Sequence, residues 1–104
     1  MADANLTDPL GRSIVLHDST WYGHILKGHP EMARARSFVE QAIQAPVEVR
    51  ASNSGPDCRL YYGAAPRIGL LVQVVADIVL GVVKTAHYAK RITGGNVEWS
   101  SPTP

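Results

Sequence analysis

The sequence predicts an α+β domain in which N-terminal helices pack on one face of an antiparallel, roughly four-stranded sheet. Three observations predict it. Apolar residues recur at helical spacing from Met32 to Ile43. β-Branched residues crowd the stretch from Gly69 to Tyr88. A turn-forming run, Ser52-Asn-Ser-Gly-Pro-Asp57, separates the two regimes.

Residues 1–12 are polar, carry Pro9 and Gly11, and read as a flexible leader. Ile14-Val-Leu16 makes one short strand. Asp18-Ser-Thr20 then offers N-cap oxygens for a helix running to Lys27, which Gly28 stops. Pro30 suits the first position of a second helix, where its missing N–H costs nothing. Glu31 follows in the first turn, at the positive end of the helix dipole. Met32, Ala35, Phe38, Val39, Ala42 and Ile43 form the stripe that faces the core, and Pro46 ends the helix.

Beyond Pro46 the period changes. Val47-Glu-Val49 alternates, Arg59–Tyr62 resumes an extended pattern, and residues 63–67 break it. The valine-rich run over 69–88 also fits a buried helix by period. Its β-branched density and Gly81 select two paired strands turning near Ala76-Asp77. Residues 92–99 add an edge segment, and 100–104 form a tail. The expectation is one domain over 13–99.

With 45% hydrophobic and 18% charged residues, the 104-residue chain has ordinary globular composition rather than that of a disordered one. A net charge of +1 gives no global pull toward nucleic acid. From Arg50 onward six Lys or Arg face three acids, a local bias that permits a polyanion. The single cysteine, Cys58, excludes an intramolecular disulfide and fits a reducing compartment. The first residues lack the apolar core of a signal peptide, and Leu70–Val83 is too short to span a bilayer. These features predict a cytoplasmic protein without a membrane partner.

The chemistry concentrates in Trp21-Tyr-Gly-His24-Ile-Leu-Lys27-Gly-His29-Pro30-Glu31. Histidine is the side chain suited to trading protons near neutral pH. On a regular helix Trp21, Tyr22, Ile25 and Leu26 share one arc, while Thr20, His24 and Lys27 share the other. A lysine beside a histidine disfavours its protonated form, which suits a general base. A second group, Lys84-Thr85-Ala86-His87-Tyr88, ends the valine-rich strand. Strict alternation sends Thr85 and His87 to one face and Lys84 and Tyr88 to the other.

The five-residue spacing of His24 and His29 does not match a helical zinc pair, so no metal or other cofactor is expected. Gly94-Gly95 precedes no helix and makes no phosphate loop. No nucleophile elbow is present. Histidines, lysine and hydroxyls without acids suit metal-independent cleavage of RNA, in which the 2′-hydroxyl attacks the adjacent phosphate.

The pattern Trp21-x-x-His24-Ile25-x-x-x-His29-Pro30-Glu31, followed by the strand Val82-Val83-Lys84-Thr85-Ala86-His87-Tyr88, resembles the phage-associated nuclease domains of the barnase/EndoU/colicin/RelE-like (BECR-fold) superfamily. The resemblance covers residues 14–99. It implies helices against a four-stranded antiparallel sheet and an endoribonuclease of toxin or effector type. It matches His24 and His29 to helix-end histidines, and Thr85 and Tyr88 to strand-end hydroxyls. The catalytic candidates are therefore His24, Lys27, His29, Thr85, His87 and Tyr88. Arg59, Lys84, Lys90 and Arg91 are candidates for holding the RNA backbone. RNA, with tRNA among the options, and a cognate inhibitor protein are the implied partners. The alternative is a non-catalytic protein- or RNA-binding module.

Overall fold

The computed structural model describes residues 2–102. Its strands are β1 (Ala4–Thr7), β2 (Ser13–Leu16), β3 (Glu48–Ala51), β4 (Cys58–Ala64), β5 (Leu71–Asp77), β6 (Val82–Ala89) and β7 (Val97–Ser100). Between β2 and β3 lie α1 (residues 18–28), a 3-10 turn at Pro30–Met32, and α2 (Arg36–Gln44). The strands form one curled sheet in the order β1-β2-β6-β5-β4-β3-β7. Every pairing is antiparallel except β2 with β6, which is parallel and rests on the single register Val15↔Val82.

This architecture corrects the expected one. The sheet has seven strands and is mixed, where about four antiparallel strands were expected. The helices sit between β2 and β3 rather than before the sheet. The helix-on-four-strands arrangement implied by the family resemblance therefore does not hold. The strands that change the count are four residues long, and each carries few inward side chains. Of these, β1 lies in a polar segment with one inward apolar residue, Leu6, and leaves no local pattern; β2, β3 and β7 are short extended segments that join the same sheet only through pairing.

The leader is a case in point. Residues 4–7, expected to be flexible, pair with β2 and turn Leu6 into the core. Two carboxylates hold this segment. Asp3 accepts the backbone N–H of Asp18, and Asp8 accepts those of Leu10 and Arg12. Of the expected tail, Ser100 ends β7, and residues 103–104 lie outside the described residues.

The helix stripe forms as expected, with Met32, Ala35, Val39, Ala42 and Ile43 buried and Phe38 packed at the margin of the core. The second helix is interrupted, however. Residues 33–35 form a turn, with Ala35 at φ −111°, ψ 11°, and α2 begins only at Arg36, whose guanidinium is bound by Asp18 at 2.7 Å and by the Ala2 carbonyl at 2.8 Å. α2 packs on β4 and β5 at close range. A Cβ on Gly63 would lie 2.8 Å from both Cα and Cβ of Ala42, so glycine sets this helix–sheet distance.

The β5–β6 hairpin turns later than expected. The Asp77 carboxylate accepts the N–H groups of Val79 and Leu80, and Gly81 adopts φ +71°. An Asp followed by a left-handed glycine makes a closed turn even where the intervening residues are apolar. Val79 and Leu80 are consequently exposed at its tip.

Candidate functional site

The hairpin strand β6 carries a bulge. Val75 pairs with Thr85 and Ala76 with Val83, so Lys84 is an extra residue on β6. A bulge re-aims side chains locally. Strict alternation would separate Lys84 from Thr85; instead both line one cavity of about 610 Å³. α1 contributes Thr20 and His24 to the same cavity, the β3–β4 turn contributes Ser52 and Ser54, and the start of β4 contributes Cys58. Val75 and Val82 supply apolar surface. Among the described residues, no carboxylate lines it.

His24 reaches the cavity because α1 is unusual at its centre. Residues Trp21–Ile25 wind as a π-turn, closed by the Leu26 N–H to the Trp21 carbonyl. Trp21 and Ile25 remain buried on one side while His24 stays exposed on the other. The expected i, i+3 pairing of His24 with Lys27 assumes regular α-helical winding, which the π-turn breaks. Lys27 is exposed near the end of α1 and does not line the cavity.

The other two candidate histidines meet. The rings of His29 and His87 lie 5.4 Å apart, inclined at 40°. His87 Nδ1 donates to the Tyr88 carbonyl at 2.9 Å, leaving Nε2 as the ring's proton acceptor. His87 shares a strand face with Thr85, two residues along, but neither ring of the pair is among the residues lining the cavity. The join is not free of acid, since Glu31 Oε2 lies 3.5 Å from His29 Nδ1. Tyr88 lies on the opposite face and packs against the core.

The expected RNA-backbone residues divide. Lys84, Lys90 and Arg91 are exposed, and Lys84 makes no ion pair among the described residues. Arg59 is committed elsewhere. Its Nε donates to Glu98 at 2.9 Å and its Nη1 to the carbonyls of Pro56 and Cys58. Glu98 in turn accepts from Arg12, which also pairs with Asp8 at 2.7 Å. The Tyr61 hydroxyl donates to Asp8 at 2.6 Å and completes the chain.

This network is electrostatically tight. Burial opposes ionisation of Asp8, whose side chain is fully enclosed. Hydrogen bonds from Tyr61 and Arg12 outweigh it and hold the carboxyl below its ordinary range. Glu98 is held low by its hydrogen bond from Arg12, against burial and with help from Arg59. Burial and donation to Asp8 push the Tyr61 phenol up. Sequence reading missed this network because its members come from three distant segments, Asp8 and Arg12, Arg59 and Tyr61, and Glu98. It likewise missed Ser52, Ser54 and Cys58 as cavity residues. The serines were read as turn residues only, a signal that concealed their second role.

Among the described residues, no group of three or more His, Cys, Asp or Glu side chains is arranged to hold a metal ion. No helix among them is long and apolar enough to cross a membrane. Neither family models, curated proteins nor solved structures match this chain.

Proposed function

We propose that this protein is a metal-independent endoribonuclease acting on RNA in the cytoplasm. One observation carries the reading: His24, Lys84 and Thr85 line one cavity with no carboxylate among its described lining residues, and His87, two residues beyond Thr85 on the same strand face, meets His29. Self-cleavage of an RNA phosphodiester needs a base, an acid and a stabiliser of phosphate charge. His24 takes the proton of the 2′-hydroxyl, whose oxygen then bonds to phosphorus. The 5′-oxygen leaves with its bonding pair and takes a proton from Nε2 of His87, which acts in its imidazolium form while Nδ1–H stays on the Tyr88 carbonyl. The products are a 2′,3′-cyclic phosphate and a 5′-hydroxyl. Lys84 and the Thr85 hydroxyl meet the charge on the phosphate, and Lys90 and Arg91 meet the flanking backbone. His29 packs on His87 as a positioning residue. A toxin or effector role, and with it a cognate inhibitor protein, belongs to the same proposal.

The test is cleavage of single-stranded RNA in EDTA by wild type and His24→Ala. Loss of one proton-transfer group lowers the rate about 10²–10⁴-fold. An unchanged rate in His24→Ala overturns the assigned role.

A second reading, a non-catalytic RNA- or protein-binding module, is favoured by the fate of the arginines. Arg12, Arg36, Arg50 and Arg59 are all ion-paired to carboxylates within the fold, which lowers the charge offered to a polyanion. RNA that binds without being cut selects this reading.

A further inference from the structure

We infer that the cavity between α1 and the β3–β4 turn is a subsite for one unpaired ribonucleotide, with its phosphate at Lys84 and its base toward Ser52 and Ser54. The inference rests on the RNA reading of this site and names the part of the substrate the site holds.

Size is the first argument. A cavity of about 610 Å³ is far more room than a phosphate needs, and it falls within the range of about 300–1,000 Å³ typical of small-molecule sites. Polarity is the second. Lys84, Thr85 and His24 make one polar group, and the hydroxyls of Ser52 and Ser54 come from a different chain segment. Val75 and Val82 add apolar surface to the same cavity. A nucleotide has the same distribution: an anionic end, a flat apolar face and a polar base edge. Serine hydroxyls both donate and accept, so they read a base edge without demanding one base. The third argument is access. A base in a duplex is stacked and paired, whereas sequence-reading contacts to RNA fall on splayed, unpaired bases. The subsite therefore selects single strands and loops.

Cys58 provides the reporter, because it is among the residues lining the cavity and is the only cysteine in the chain. The experiment measures alkylation of Cys58 by iodoacetamide in the intact folded protein, with uridine 3′-monophosphate, uridine or inorganic phosphate added. Uridine 3′-monophosphate slows labelling about elevenfold at ten times its Kd, the fraction left unoccupied. Inorganic phosphate, seated at the Lys84 end, leaves the thiol open. Lys84→Ala raises the nucleotide concentration for half-protection at least about tenfold, the value of one charge-assisted contact. Lys84→Gln repeats the measurement should the alanine variant fold poorly by circular dichroism. Ser52→Ala combined with Ser54→Ala weakens protection by the nucleotide. No protection at millimolar nucleotide overturns the subsite. So does equal protection by phosphate alone, or protection unaffected by loss of Lys84. Protection without RNA cleavage keeps the subsite and removes the catalytic reading. Cleavage without protection does the reverse.

Discussion

The imidazole rings of His29 and His87 lie 5.4 Å apart and tie the join between α1 and α2 to the end of β6. They lie fifty-eight positions apart in sequence, so the contact is a product of the fold. Both rings are partly exposed. Aromatic pairs of this kind add about 0.5–1.5 kcal/mol beyond area burial, and partial exposure puts this one at the lower end. A double-mutant cycle with His29→Ala and His87→Ala, read by urea denaturation, should return a coupling of about 0.5 kcal/mol. Strict additivity would show that the rings do not support each other.

The Asp8–Arg12–Glu98–Arg59 network makes stability acid-sensitive. Asp8 and Glu98 are both held below their ordinary values of 3.8 and 4.5 in the folded protein. The unfolded chain thus takes up protons first as pH falls through that range. Stability is at its full value above it and declines below it. Asp8→Ala leaves Arg12 and Tyr61 without their shared acceptor, and should cost about 3 kcal/mol at neutral pH. It should also flatten the acid limb of a stability–pH curve. A variant with wild-type stability and an unchanged acid limb would remove the network from the account.

At Gly63 the packing of α2 on β4 allows no methyl group. Gly63→Ala should destabilise by about 1–3 kcal/mol, the cost of overpacking a fitted core. Calorimetry would show the lowered Tm. Gly63→Ala together with Ala42→Gly removes the Cβ that obstructs it, and should recover part of the loss.

The two classes of cation should separate by salt. Each contact between a cation and single-stranded nucleic acid contributes about 0.7 to the slope of log K against log salt. Lys84→Ala should reduce the slope for RNA binding by about that amount and leave the Tm unchanged. Arg59→Ala should lower the Tm and leave the slope alone, because its guanidinium is held by Glu98 and two carbonyls. Filter binding across a salt series checks both. A slope that responds to Arg59 would mean that the ion pair opens on RNA.

Local pattern made several elements legible. The α2 stripe, the strands around Val49, Tyr61 and Val74, and the edge segment near Trp99 are periodic features that sequence reading placed correctly. Of the candidate site, the proton-transfer chemistry of His24, His29 and His87 was legible from residue type alone. The companionship of Lys84 and Thr85 was not, because a bulge depends on the partner strand's register. Tyr88 and Arg59 carried the right chemistry, but one packs against the core and the other binds Glu98.

The sequence by itself determined where apolar faces fall, because hydrophobic period and turn chemistry act over a few residues. The tertiary structure decided the strand count, the parallel β2–β6 contact, the buried network and the cavity. Each of these depends on pairing between segments far apart in the chain. The energy of such a pairing belongs to two surfaces at once, and neither segment's own residues state it.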